Sequence, residues 1–345
     1  MRHWFLIPCV WACSCVEAPD KVAGAGQADT AAFDTSDPGD SEDTDDTDDT
    51  DDTDDTDDTG DTGDTGDTGD TGDTGDTGDT GDTGDTAEPE PLSDLRDPGP
   101  HRVSTTEDSV NVDGDCQMDI SVMTPEGTDV LGTVVLSHGF MRSADKMTGW
   151  GEHMASWGLQ VVVPELCHLS ISDTDHEANG QEIAALADAL GISGAVYVGH
   201  SAGGLASILA LTHDSDALGA VGLDPVDASS LGANAVTSKP MHILLGEPGM
   251  CNSSGNGIDM ARGEAWQVAE AGHCDFESPT DAVCNIACGQ SNPTFSDEEL
   301  QQTIRGMVTA GVLGILGDDR IVEAWWTDGG EFNAELQFSG ALQTP

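Results

Sequence analysis

A serine flanked by glycines forms a pattern that suits nucleophilic catalysis. Residues 199–203 read Gly-His-Ser-Ala-Gly, with Ser201 at the centre between Gly199 and Gly203. Such a serine must sit on a sharp turn from a strand into a helix, where larger flanking residues would crowd a strained nucleophile. An apolar stretch precedes the pattern and a helical stretch follows it. The context therefore predicts a nucleophile elbow built from Gly199, His200 and Gly203, with Ser201 as the nucleophile.

A serine hydroxyl is a weak nucleophile and needs a base, together with an acid that orients the base. Asp224 and His273 each follow a predicted apolar strand farther along the chain. Taken singly, Asp224 fits a turn before Pro225, and His273 fits an exposed loop. Because both follow Ser201 at strand ends, in the order nucleophile, acid, base, we predict a Ser201, Asp224, His273 triad.

Two backbone N–H groups are expected to stabilise the oxyanion of an acyl-transfer reaction. The first belongs to Ala202, which follows the nucleophile at the start of a helix whose dipole favours negative charge. The second is expected from the loop His138-Gly139-Phe140, directly after a short apolar strand. Gly139 permits a sharp turn there, and the Phe140 N–H is the predicted donor.

Strand and helix patterns alternate along the second part of the chain, which predicts an α/β fold with a mostly parallel sheet covered by helices on both faces. A capping box, from Ser296 to Glu299, predicts the start of a helix that continues to about Leu316. The other predicted helices cover 144–157, 177–190 and 205–211, and the predicted strands cover 116–123, 133–137, 160–164, 195–198, 220–223, 241–245 and 266–269.

Several segments between about Gly132 and Gly289 resemble the chlorophyllase branch of the α/β-hydrolases, a neighbour of the PET-hydrolase and cutinase-like esterases. The segments are Val135-Leu136-Ser137-His138-Gly139-Phe140, Gly199-His200-Ser201-x-Gly203-Gly204, Gly222-Leu223-Asp224-Pro225-Val226-Asp227, a glycine- and asparagine-rich loop with Cys251, and Gly272-His273-x-Asp275-Phe276. The Gly-Leu-Asp-Pro segment also resembles the pancreatic-lipase group.

The resemblance implies an α/β-hydrolase fold, carboxylic ester hydrolysis without a metal or other cofactor, and Asp224 rather than Asp227 as the acid. This chain departs from the plant chlorophyllases that it resembles at one position: it has Ala202 directly after Ser201, where they carry arginine. The resemblance therefore implies the chemistry and leaves the acyl and alcohol groups open. A lactone- or peptide-directed hydrolase and a catalytically inert, stalked surface-binding module are the alternatives. The loop from Pro248 to Gly263 is a candidate lid.

Nine cysteines divide into three near the N-terminus and six in the body. An even number in an exported domain favours disulfides over a zinc site. In the α/β-hydrolase sheet the second strand runs antiparallel to the fourth, which implies a Cys116–Cys167 pair. The other four are then expected to pair among themselves around the His273 loop, with their connectivity open: Cys251, Cys274, Cys284 and Cys288.

The N-terminal third predicts export and a stalk. Residues 1–15 resemble a signal peptide of the lipoprotein type, with Cys13 and Cys15 as lipidation candidates and ordinary secretion as the alternative. Residues 16–100 form an acidic, low-complexity linker that is expected to be disordered, because it holds few apolar side chains. Its repeats lack the ligand order of a calcium loop. Residues 101–345 are assigned to the catalytic domain.

The charge excludes some partners. The chain carries 66 acidic and 10 basic residues, a formal net charge of −56. Such a surface repels nucleic acid and bare anionic lipid. Membrane contact is expected only through an N-terminal lipid in the bacterial envelope, and we expect a monomer acting on a small-molecule, lipid or polymer ester. Four tryptophans are candidates for an apolar platform: Trp150, Trp157, Trp325 and Trp326.

Overall fold

A computed structural model describes residues 91–114, 116–289 and 294–345. The predicted signal segment with Cys13 and Cys15, and the repeats that follow it, lie outside these ranges. The strands within them are β1 (Val103–Asp113), β2 (Cys116–Pro125), β3 (Thr133–Ser137), β4 (Gln160–Pro164), β5 (Leu169–Ser170), β6 (Asp173–Thr174), β7 (Val196–His200), β8 (Gly219–Leu223), β9 (Met241–Leu245), β10 (Ala265–Val268) and β11 (Leu342–Gln343). The helices are α1 (Thr148–Ser156), α2 (His176–Ala189), α3 (Ala202–His213), α4 (Ala282–Cys288), α5 (Asp297–Ile315), α6 (Asp319–Trp325) and α7 (Glu331–Ser339).

Nine of these strands form one mixed sheet in the order β1-β2-β4-β3-β7-β8-β9-β10-β11. The six strands from β4 to β10 in this order pair in parallel, whereas β1, β2 and β11 join antiparallel at the two sides. The predicted α/β class with a mostly parallel sheet is confirmed. In such a sheet the carboxyl ends of the parallel strands meet at one edge, where the loops after β3, β7, β8, β9 and β10 come together.

Helices cover both faces of the sheet, and each face has its own apolar core. Alternate residues of β3 point to opposite sides, so that Val134 and Leu136 join one core and Val135 joins the other. Side chains of α1, α5, α6 and α7 fill the first core, and those of α2 and α3 fill the second. The apolar strands are buried on both faces, as parallel strands between helical layers must be.

Three tryptophans proposed for an exposed platform are structural instead. Trp150, Trp325 and Trp326 are completely buried in the first core. The Trp150 indole donates to the carbonyl of Phe276 at 2.8 Å, and that of Trp326 donates to the carbonyl of Met307 at 2.9 Å. The prediction that these side chains supply an exposed apolar surface is therefore wrong, because large aromatic rings contribute most to stability when they are buried.

The folded part begins before residue 101, the predicted boundary. Leu95 is buried in the first core, and Arg96 forms ion pairs with Asp94 and Glu335. The sequence does not predict the strand β1, because most of its residues are polar and give no alternation of apolar and polar side chains. Most of these residues are exposed. It is held by its antiparallel pairing with β2.

The start of α5 follows its predicted local signal. Ser296 caps α5, and its hydroxyl and the Glu299 carboxylate each accept from the other residue's backbone N–H, as the predicted capping box requires. Along the ranges that the structure describes, every helix is too short or too polar to cross a membrane.

Candidate active site

Ser201 lies at the turn from β7 into α3, in a strained backbone. Its φ and ψ angles are 55° and −121°, and its N–H donates to the carbonyl of Leu223 at 3.1 Å. A Cβ atom at Gly199 would lie 2.2 Å from the carbonyl oxygen of Gly203, and one at Gly203 would lie 2.5 Å from that of His138. Only glycine fits at either place, so the sequence pattern has a direct steric reason.

Asp224 lies directly after β8 and is completely buried. Its Oδ1 atom accepts a hydrogen bond from the N–H of Gly246 at 3.0 Å, and its Oδ2 atom lies 2.6 Å from Nδ1 of His273. A buried carboxylate requires such donors, because an unpaired charge away from water is costly. Asp224 is therefore set to hold a histidine ring.

The imidazole of His273 has a defined tautomer. An ionised carboxylate can only accept, so the ring donates its Nδ1 proton to Asp224. In the neutral ring, Nε2 then carries the lone pair that a general base needs. The carbonyl of His273 accepts from Nε2 of His200 at 3.0 Å, and the two rings pack with their centroids 4.5 Å apart.

These contacts bring the three predicted residues to one edge of the sheet. Ser201 is bonded through its N–H to the residue before Asp224, and His200, its neighbour in the chain, packs against His273. Among the hydrogen bonds of the described residues, none joins the Ser201 hydroxyl to His273. In active sites without a bound substrate, catalytic hydrogen bonds are often long and tighten when substrate binds.

The loop predicted to hold an oxyanion donor lies against Ser201. A Cβ atom at Gly139 would meet both Cβ of Ser201 and Nδ1 of His200 at 3.1 Å. The N–H of Met141, two residues on, donates to the carbonyl of Leu169 at 2.9 Å. By contrast, the N–H groups of Phe140 and Ala202 have no acceptor among the described residues. Both N–H groups are thus available as hydrogen-bond donors.

Two buried histidines brace these loops. Nδ1 of His138 lies 2.9 Å from the carbonyl of Gly139, and its Nε2 accepts from the N–H of Leu166 at 3.0 Å. Burial lowers the pKa of His138 and lowers that of His200 well below its usual range, so both rings are neutral. Both nitrogens of His138 are hydrogen-bonded, and Nδ1 of His200 is buried away from solvent, so neither ring is placed as a proton acceptor.

Three disulfides connect the cysteines of the body. Cys116 is joined to Cys167, as the resemblance implies, between the start of β2 and the loop after β4. The other two bonds, Cys251–Cys288 and Cys274–Cys284, tie α4 to the loop after β9 and to the residue next to His273. This resolves the connectivity that the sequence left open. The sulfur atoms of Cys274, Cys284 and Cys288 lie within 4.8 Å of one another, but as disulfides they offer no thiolate to a metal.

Asn252, a buried residue in the loop after β9, belongs to the site although its sequence context does not predict it. Its side-chain Nδ2 atom donates to both carboxylate oxygens of Asp224 at 3.1 Å and to the carbonyl of Glu247 at 2.9 Å. Its Oδ1 atom accepts from the N–H of Gly249 at 2.7 Å. The candidate lid loop, from Pro248 to Gly263, therefore contributes a residue that hydrogen-bonds to Asp224.

Two cavities adjoin the site. One of about 230 Å³ is lined by His273, Gly272 and Asn252, with the Cys251–Cys288 disulfide at its side. The other, of about 550 Å³, is lined by Met141, Leu169 and Ile171 and begins beside the oxyanion loop. A larger cavity of about 690 Å³ lies along α2, and its lining includes none of the predicted catalytic residues. Of these three cavities, only that of about 230 Å³ includes a residue of the predicted triad, His273, in its lining.

Neither a protein-family model nor a curated protein sequence matches this chain.

Proposed function

We propose that this chain is a serine hydrolase that cleaves carboxylic esters. The observation that carries the proposal is the 2.6 Å contact between Nδ1 of His273 and the buried carboxylate of Asp224, beside the strained elbow of Ser201. Strain at a non-glycine residue is maintained where function requires it. Taken together, a buried acid, an oriented imidazole and an elbow serine support acyl transfer better than they support a folding role.

In the proposed reaction, Nε2 of His273 accepts the proton of the Ser201 hydroxyl while the oxygen attacks the ester carbonyl. Asp224 keeps the imidazole in the required tautomer and stabilises the imidazolium that forms. The imidazolium then gives its proton to the leaving alcohol, and an acyl-enzyme remains on Ser201. Water then attacks the acyl-enzyme with the same base and acid, which releases the carboxylic acid and restores the serine.

The N–H groups of Phe140 and Ala202 are proposed to bind the oxyanion of each tetrahedral intermediate. Both lie next to residues that contact Ser201 or the elbow, and Ala202 begins α3, whose dipole favours negative charge. One such donor typically contributes about 100- to 1,000-fold to kcat. All of these groups are supplied by the chain, so the proposed reaction requires no cofactor.

The sheet order supports assignment of the folded part, within the predicted domain 101–345, to the α/β-hydrolase fold. The second strand runs antiparallel beside the fourth, and the elbow, the acid and the histidine follow the parallel strands β7, β8 and β10. Together with the sequence segments above, this supports the proposed likeness to the chlorophyllase and PET-hydrolase-like esterases. Three disulfides support an oxidising compartment, and hence export to the bacterial envelope or secretion.

A fluorophosphonate probe, which reacts with activated serines, tests the nucleophile. We expect the wild-type protein to be labelled and Ser201→Ala to remain unlabelled, with Ser207→Ala as a control for nonspecific labelling. Ser207 is a buried serine of α3 whose hydroxyl donates to the carbonyl of Gly203 at 2.9 Å. An unlabelled wild-type protein would instead favour the inert binding module.

The substrate class is tested with a panel of p-nitrophenyl esters of rising acyl length, compared with an amide and a lactone. We expect turnover of the esters that is abolished in Ser201→Ala. Preferred cleavage of the amide or of the lactone would replace ester hydrolysis by the corresponding alternative. The same panel ranks acyl length, which the two cavities beside the site do not fix by themselves.

A further inference from the structure

A buried ion pair joins the two loops that carry the proposed catalytic groups. The guanidinium of Arg142 contacts the carboxylate of Glu277 through two parallel bonds, Nε to Oε1 at 2.6 Å and Nη2 to Oε2 at 2.7 Å. Glu277 is completely buried, and Arg142 is 13% exposed. The two residues are 135 positions apart in the chain. A fork of this kind fixes distance and orientation together.

Each partner lies at the end of a turn that begins at the active site. The N–H of Arg142 donates to the carbonyl of Gly139 at 3.2 Å, which closes the turn that contains Phe140. The N–H of Glu277 donates to the carbonyl of Cys274 at 3.2 Å, which closes the turn that follows His273. The ion pair therefore links the loop of the proposed oxyanion donor directly to the loop of the proposed base.

His200 lies between this pair and the catalytic histidine. Its ring packs against that of His273, its Nε2 atom bonds to the carbonyl of His273, and its Nδ1 atom lies 3.9 Å from Oε1 of Glu277. Nδ1 is buried and has no hydrogen-bond partner among the described residues. A shift of Glu277 would thus change the packing of His200, and through it the position of His273.

Further charges hold Arg142 in place. Its Nη2 atom lies 2.9 Å from Oδ2 of Asp281, and Nζ of Lys146 lies 3.2 Å from the same oxygen. Hydrogen bonding to Glu277, and then to Asp281, raises the pKa of Arg142, so its charge is constant at any working pH. A fully buried glutamate without its arginine would be an uncompensated charge, which is strongly unfavourable.

We propose that Arg142 and Glu277 are positioning residues that set the spacing between the Phe140 N–H and the imidazole of His273. This inference rests on the proposed function. The oxyanion and the imidazolium exist only along the reaction path, so an error in their spacing weakens interactions made in the transition state and leaves ground-state binding largely intact. Loss of the pair should therefore lower kcat and leave KM nearly unchanged.

The test uses Arg142→Lys and Glu277→Gln in the full chain. Lysine keeps the positive charge but cannot form the two-bond fork, and glutamine keeps the shape but loses the negative charge. With a p-nitrophenyl ester that the wild-type protein hydrolyses, we expect kcat to fall about 10- to 100-fold in each variant. We expect the double variant to lose less than the product of the two single losses, because each single change already breaks the same pair.

The matched control is Arg96→Lys. Arg96 forms a comparable fork with Asp94, through Nε to Oδ1 and Nη2 to Oδ2, and a further ion pair with Glu335, and none of these bonds reaches either catalytic loop. The Arg96→Lys variant should keep kcat within about twofold of the wild type, since a partly exposed ion pair contributes little to stability. Circular dichroism and the melting temperature identify the folded fraction, and a stoichiometric fluorophosphonate titration counts active sites.

The proposed function and the positioning role fail in different ways. A wild-type protein that is neither labelled nor active overturns the proposed function itself. A labelled and active wild type, with variants that keep kcat, raise only KM, or lose activity solely in proportion to their unfolded fraction, overturns the positioning role. If Arg142→Lys and Glu277→Gln both fail to fold, the positioning role is likewise overturned, because the pair would then be needed for folding alone.

Discussion

The side-chain amide of Asn252 donates to both carboxylate oxygens of Asp224, at 3.1 Å each. Asp224 is thereby held by His273 and by a residue whose hydrogen bonds, within the described ranges, reach no other predicted catalytic group. The neighbouring Cys251 is joined to Cys288, so a covalent bond secures the loop that carries Asn252. A loop outside the predicted triad therefore fixes Asp224.

We expect Asn252→Ala to lower kcat about tenfold or more, because a hydrogen bond to a charged group contributes about 1.5–3 kcal/mol. Steady-state kinetics measure the effect on kcat, and the melting temperature separately measures any effect on stability. Asn256→Ala is the control: Asn256 lies in the same loop region but bonds only to the backbone of Asp227. Equal losses of kcat in both variants would contradict a role for Asn252 in orienting the acid.

The choice of acid can be tested with two neighbouring aspartates. Asp227 accepts from the N–H groups of Gly232 and Ala233, and among the described residues its carboxylate forms no hydrogen bond or ion pair with His273. We expect Asp224→Asn to lower kcat about 1,000- to 10,000-fold, because an amide facing Nδ1 favours the wrong imidazole tautomer. Asp227→Asn should lower the melting temperature and keep most of the activity. Comparable kcat values for both variants would remove Asp224 from the mechanism.

The placement of the predicted triad residues could be read from the sequence, because each follows an apolar strand and parallel strands end at one edge. The role of Gly199 and Gly203 could also be predicted from the sequence, since the pattern reflects a steric requirement at both positions. The sequence does not predict the roles of three further residues, Asn252, Arg142 and Glu277. A single asparagine and an ion pair between residues 135 positions apart produce no recognisable sequence pattern. The one available signal was proximity: Asn252 adjoins a cysteine, and Glu277 lies four residues after the histidine.

The disulfides should separate stability from activity. A bond between residues 51 positions apart constrains the unfolded chain by about 4 kcal/mol in the loop-entropy model, so Cys116→Ser with Cys167→Ser should lower the free energy of unfolding by about that amount. The kcat of this double variant should stay near that of the wild type. By contrast, Cys274→Ser with Cys284→Ser releases the residue next to His273, and we expect kcat to fall.

Urea unfolding and steady-state kinetics on the two double variants decide this prediction. An unchanged kcat in the folded Cys274/Cys284 variant would show that the turn holds His273 without its disulfide. A large loss of kcat in the folded Cys116/Cys167 variant would show that β2 and the loop after β4 influence the site, in contrast to the expected division of roles.

Acid sensitivity is expected from His153, a buried residue of α1 whose Nε2 atom lies 2.9 Å from the carbonyl of Leu95. Burial, with a smaller contribution from Arg305 and against the effects of the Leu95 hydrogen bond and Asp97, lowers the pKa of His153 from 6.5 to about 4. Between these two values the unfolded chain binds a proton that the folded chain does not. Stability must therefore fall as the pH decreases through this window, by up to about 3 kcal/mol from this group.

His153→Gln isolates this contribution, because glutamine can still donate to the Leu95 carbonyl and does not titrate. The free energy of unfolding, measured with urea between pH 7 and pH 4, should fall more steeply in the wild type than in the variant. Carboxylates and the other buried histidines, including His138, His200 and His242, titrate in both proteins, so the difference between the curves belongs to His153. Parallel curves would mean that His153 becomes charged in the folded protein at little cost, in contrast to the effect expected of its burial.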